Sequence, residues 1–234
     1  MGRDSKRTRK KKKLKKKNKG IKWIKLAALV VIAAFVIIVG KRVYDSLKTV
    51  NNAEISKAVT KNISLSEYPE IDVELLTINP YSRPGTPLEK INGIVIHWTA
   101  NPGSSAIANR DYFESLKDNH ITSASSHFII GLDGEIVQCI PSSEISYASN
   151  DRNNDTLSIE CCIPDETGKF NDATYSSMVY FTAWLCKNFN VDVDNVIRHY
   201  DVTGKDCPKY FVENEDKWLL FKQDIRNYIA KYSD

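Results

Sequence analysis

The chain of 234 residues holds four histidines, His97, His120, His127 and His199. Two of them occupy matching places. His97 closes the apolar run 91–98 (INGIVIHW), immediately before the loop Thr99-Ala100-Asn101-Pro102-Gly103. His199 closes the run DNVIRH, and Cys207-Pro208 follows eight residues later. Two imidazoles and one thiolate are natural zinc ligands, and three protein ligands leave a fourth position for water. Glu160 is a further candidate, because a carboxylate between Ile159 and Cys161 in an apolar run is costly to bury without a purpose. His127, at the start of a strand, is expected to serve structure through a hydrogen bond. His120 is expected in a surface loop, and Asp201, two residues after His199, as an organiser of its loop.

Those residues need rigid elements beneath them. Strands are expected over 91–98 and 156–163, where the sequence is rich in β-branched residues. Runs 127–132 and 135–140 flank Asp133-Gly134, which predicts a β-hairpin. A last strand is expected over 194–199. Helices are expected over 105–117, 174–188 and 215–231, the second with Met178, Phe181, Leu185 and Cys186 near one face. Strands and helices alternate without strict βαβ regularity, which predicts an α/β fold: one compact domain with a mixed central β-sheet flanked by helices. Strand ends are where loops converge on a site in such folds.

The charge distribution divides the chain. Residues 1–25 carry 14 Lys/Arg against one acidic residue, Asp4, whereas the remainder carries 19 Lys/Arg against 28 Asp/Glu. The overall net charge of +4 therefore describes a tail and not the domain, and nucleic acid is not an expected partner. Residues 1–20 read as a basic cytoplasmic tail. Residues 21–40 read as a transmembrane anchor, because the apolar stretch 26–40 extends to about 30 Å once Ile21, Trp23 and Ile24 are included. Lys22 and Lys25 would then snorkel to the head groups. A cleaved signal peptide is the weaker reading, since Val39-Gly40-Lys41-Arg42 offers no small-x-small cleavage pattern. The positive-inside rule then predicts a single-pass protein of the cell membrane, with the N-terminus cytoplasmic and the C-terminal domain on the cell-wall side. Residues 41–87 are expected to form an extracellular stalk, with a helix over 44–61 and the breakers Pro69 and PYSRPGTP (80–87) before a domain spanning 88–234. Five cysteines are too few for a disulfide scaffold. Cys161 and Cys162 face opposite sides of their strand, so a disulfide from one of them to Cys139 and a set of free thiols are both compatible with the sequence.

Four segments occur in a telling order: IVIHWT (94–99), SSHFIIGLDG (125–134), NDTLSIE (154–160) and RHYDVTGKDCP (198–208). Together they closely resemble the N-acetylmuramoyl-L-alanine amidase type 2 family, which includes phage lysozyme-like amidases and peptidoglycan recognition proteins. The resemblance covers about 88–232. It implies a zinc ion held by His97, His199 and Cys207, and hydrolysis of the amide between N-acetylmuramic acid and L-alanine in peptidoglycan. It also implies a catalytic glutamate at Glu160, and at Lys205 a cation able to stabilise an oxyanion. One departure stands out: the family's phage-type members carry a tyrosine before the His-Phe pair, and this chain has Ser126, which shifts weight onto Glu160. The alternative function is a non-catalytic peptidoglycan-binding module, but such relatives typically lose the cysteine ligand that Cys207 retains here. A monomer is expected, and Trp98 and Tyr147 suit either a cleft wall or the core.

Overall fold

The computed structural model describes residues 41–42 and 64–233. The basic tail (1–20), the anchor (21–40) and the helix expected over 44–61 lie outside the described residues. Among those described, no helix is long and apolar enough to cross a membrane.

Six strands form one mixed sheet. They are β1 (Asp72–Val73), β2 (Gly93–Trp98), β3 (Phe128–Ile130), β4 (Ile136–Gln138), β5 (Thr156–Cys161) and β6 (Val196–Arg198), in the spatial order β1-β4-β3-β5-β2-β6. β3 and β4 pair antiparallel, and the other neighbours are parallel. The β3–β4 hairpin turns through Gly134 at φ +81, where a Cβ would meet the Ala173 carbonyl oxygen at 2.9 Å. Only glycine fits both the backbone angle and the space.

Helices cover both faces. α1 (Ala106–Asn119) packs Phe113 and Leu116 against Ile129, Val137 and Cys162 on one face. Its ends follow from local chemistry: Ser105 accepts from Ala108 N–H at the start, and His120 stops the helix in the left-handed region at φ 56. α2 (Asp172–Phe189) lies on the opposite face with α5 (Glu215–Tyr232), burying Met178, Phe181, Phe221 and Ile225 against Ile94, Phe128 and Ile159. Two short helices, α3 (His199–Thr203) and α4 (Lys209–Glu213), follow β6.

Two expectations are corrected. Residues 64–87 belong to the folded domain and not to a stalk: Leu65 and Leu76 are buried, β1 pairs with β4, and the Arg83 guanidinium forms a bidentate ion pair with Glu144. Leu65 N–H also donates to the Tyr232 carbonyl at 3.2 Å, fastening the start of this segment to the end of α5. The second concerns His199, which opens α3 instead of closing a strand. Arg198 N–H donates to the Asp201 carboxylate at 2.8 Å, and this capping contact converts the strand into a helical turn. All five cysteines are free and buried, which resolves the open pairing in favour of thiols.

Candidate active site

His97, Glu160, His199 and Cys207 meet at the ends of β2, β5 and β6. Parallel pairing sets His97 directly across from Glu160, so both side chains leave the same face of the sheet. Ile96 pairs with Arg198, which brings the next residue of each strand, His97 and His199, side by side with ring centroids 4.7 Å apart. The chain then returns through α3. Gly204, at φ +77, ends that helix, and Tyr200 N–H donates to the Cys207 carbonyl at 2.9 Å, folding Cys207 back beside the histidines. Arg198 braces the turn through Asp201, Glu215 and the Phe211 carbonyl. Asp201 is thus the loop organiser the sequence suggested, and it bonds Arg198 instead of the histidines.

One ligand atom from each of His97, His199 and Cys207 lies within 4.8 Å of the others, and all three residues are buried. Cys207 Sγ is 3.7 Å from His97 Nδ1. The outward Nε2 atoms are engaged elsewhere, His97 with Ser149 Oγ at 3.1 Å and His199 with Asn150 Oδ1 at 3.0 Å. His199 Nδ1 is buried without any hydrogen-bond partner. A buried, orphaned ring nitrogen beside a second imidazole and a thiol is an expensive arrangement that a metal ion would satisfy. The donor set fits a borderline divalent ion.

Electrostatics point the same way. Burial, then the neighbouring His199 and Lys205, push the His97 imidazole well below its ordinary pKa. Burial and Lys205 lower His199 as well. Both shifts favour the neutral ring, the state that ligates metal. Burial and the nearby Glu160 raise the Cys207 thiol to about 12, so a cation at the centre would be needed to hold it as thiolate. Glu160 is raised to about 8 by burial, with Lys205 acting against the rise, and its Oε2 has no partner.

These side chains line one cleft of about 400 Å³, with Trp98, Phe113, Tyr147, Asn150, Asn153 and the exposed Lys205 among its walls. Trp98 and Tyr147 are thereby wall residues. Ser126 is not: it is fully buried, and its hydroxyl donates to the Phe128 and Ser158 carbonyls. His127 stays with it, accepting from Ser158 N–H at Nδ1 and donating from Nε2 to the Glu144 carbonyl. His120 caps α1 and stacks on Tyr81 at 4.2 Å, a more specific place than a loose surface loop. Sequence reasoning missed Ser149 and Asn150. Their contact with the histidines spans about 50 residues of sequence, and only the helix-poor, Asn-rich run 150–154 marked the place as a turn.

Comparison with known proteins agrees with this geometry. Residues 87–210 match the family described as N-acetylmuramoyl-L-alanine amidase. A probable N-acetylmuramoyl-L-alanine amidase of Bacillus licheniformis is 32% identical over 166 residues, spanning 66% of this chain and 46% of its own. BlyA of Bacillus subtilis strain 168, an N-acetylmuramoyl-L-alanine amidase, is 30% identical over 172 residues, spanning 64% of this chain and 45% of its own. The chain thus spans a little under half the length of these curated relatives. The solved catalytic domain of XlyA aligns with a TM-score of 0.56 at 28% identity, covering 67% of this chain and 99% of that one.

Proposed function

The chain belongs to the N-acetylmuramoyl-L-alanine amidase family, and from that premise we propose that its folded domain hydrolyses the bond between N-acetylmuramic acid and the L-alanine of the peptidoglycan stem. The observation that carries the reading is the meeting of two buried imidazoles, a thiol and an unpartnered carboxyl group in one cleft.

His97, His199 and Cys207 would hold a zinc ion. Bound there, zinc supplies Lewis acidity and lowers the pKa of a coordinated water towards ~7. Glu160 is the proton carrier. A bound cation would favour the carboxylate that accepts a proton from the attacking water, and burial favours the protonated form that then releases it to the departing L-alanine nitrogen. Lys205 lines the cleft, where its side chain would face the negative charge that develops on the lactyl oxygen. With Ser126 sealed under the cleft, no hydroxyl at that position competes for the proton-transfer role.

The reading extends to placement. Residues 21–40 anchor the protein in the cell membrane as a single pass, 1–20 stay cytoplasmic, and the domain faces the wall. The charge asymmetry of the sequence supports this.

Peptidoglycan incubated with the full chain, with and without a zinc chelator, tests the activity. New L-alanine amino termini, identified by mass spectrometry and absent under chelation, are the expected result. Intact glycan-bound stems, with muropeptide still retained by the protein, would leave a binding module.

A further inference from the structure

The two histidines of the cleft are held from behind by a single loop. Ser149 Oγ meets His97 Nε2, and Asn150 Oδ1 meets His199 Nε2, at 3.1 and 3.0 Å. The loop is itself fixed, because Asn153 Oδ1 accepts from both Ala148 N–H and Ser149 N–H. We infer that Asn150 is a positioning residue that locks His199 in the Nε2–H tautomer and so aims its Nδ1 lone pair at the metal position. The inference rests on the zinc reading given above.

The chemistry of the two partners differs. An amide oxygen only accepts, so His199 must carry its proton on Nε2 to use the contact, which leaves Nδ1 bare. That atom is the orphan found buried at the centre. A serine hydroxyl donates or accepts with equal ease and follows whichever tautomer His97 adopts. On the other side of the His97 ring the Cys207 sulfur lies 3.7 Å from Nδ1, close enough for both atoms to face one ion. Asn150 also occupies a left-handed backbone position, φ 51, which asparagine and glycine tolerate better than other residues. Glycine at this position therefore removes the acceptor while leaving the backbone at ease. Aspartate preserves the acceptor.

Such outward partners of metal-ligating histidines typically contribute about 10–100-fold in metal affinity. Three versions of the full chain, wild type, Asn150→Gly and Asn150→Asp, would be titrated with zinc against a chromogenic chelator. The side-chain ¹⁵N resonances of His199 would be recorded in each metal-free protein. The expected result is zinc affinity about 10–100-fold weaker in Asn150→Gly, with His199 redistributed between tautomers, while Asn150→Asp keeps near-wild-type affinity and the Nε2–H form. A wild type that binds zinc alongside an Asn150→Gly variant with unchanged affinity and tautomer overturns the inference and spares the metal reading. An Asn150→Asp variant as impaired as Asn150→Gly overturns the acceptor role in the same way. A wild type that binds no zinc removes the premise itself, and the inference falls with it.

Discussion

Two buried polar clusters share one face of the sheet, and they differ in how fully their polar atoms are paired. Ser158 and Glu160 stand two residues apart on β5, so both project to the same side. Around Ser158, the polar atoms of Ser126, His127 and Ser146 close on one another and on backbone groups. Around Glu160, two atoms are left over, its own Oε2 and His199 Nδ1. Both clusters contain buried histidine and serine, and the open one adds Glu160 and Cys207. What separates them is completion. A closed network stabilises and specifies the fold, whereas an open one in a cleft is poised to receive a metal ion, a proton or a substrate.

This contrast is open to attack at four points, in falling order of expected effect. Cys207→Ser takes a thiolate ligand from the open cluster, so amide hydrolysis should drop to background, with bound zinc measured in parallel. Persistent turnover in zinc-depleted Cys207→Ser would show that the cluster does not act through a metal. Glu160→Gln should retain zinc while turnover falls about 10²–10⁴-fold, the usual range for a general acid–base group. Near-wild-type rates in that variant would move the proton-carrying role elsewhere.

The closed cluster makes the converse predictions. Burial holds the His127 pKa near 4 against an ordinary 6.5, so between those values the unfolded chain binds more protons than the folded one. Its contribution is fully present above about pH 6.5 and disappears as the pH falls towards 4, on the order of 3 kcal/mol in all. Denaturant midpoints taken from pH 7 to pH 4 at saturating zinc should fall in the wild type and fall less steeply in His127→Gln. Parallel profiles would mean that His127 is not the titrating group. Finally, Ser158→Ala strips a hydroxyl shared by Ser146 and His127 and should cost about 1–3 kcal/mol of stability. If the two clusters have separate roles, the activity of the remaining folded protein should be unchanged.

The open cluster was far more legible in the sequence than the closed one. His97, Glu160, His199 and Cys207 are residue types that seldom sit beside apolar runs without a task, and their order along the chain matched a family. The serines of the closed cluster carry no such mark, since Ser146 and Ser158 look like any loop and strand serine until the sheet brings them together. Asn150 was hidden for a related reason, as its partner lies 49 residues away. The error at 64–87 came from turn chemistry. PYSRPGTP reads as linker, and β1 is only two residues long, too short to show a period. What fixes that segment is a pair of isolated leucines, an ion pair with Glu144 and backbone bonds to distant residues, none of which makes a local pattern. His199 was placed one residue too early in the secondary structure because the capping contact from Asp201 lies downstream of the strand it ends.

The bond from Leu65 to Tyr232 joins the first and last stretches of the described domain, residues 64–233. A unit with adjoining ends can be spliced into a host polypeptide without prying the host apart, or have its ends joined and be opened at another turn. The exposed bend at Asp165–Thr167, held by its own side-chain bonds and by Lys209 Nζ donating to the Glu166 carbonyl at 3.2 Å, offers such an opening. In that sense the domain is portable: its chemistry belongs to the sheet and its loops, and the chain that carries it is free to differ.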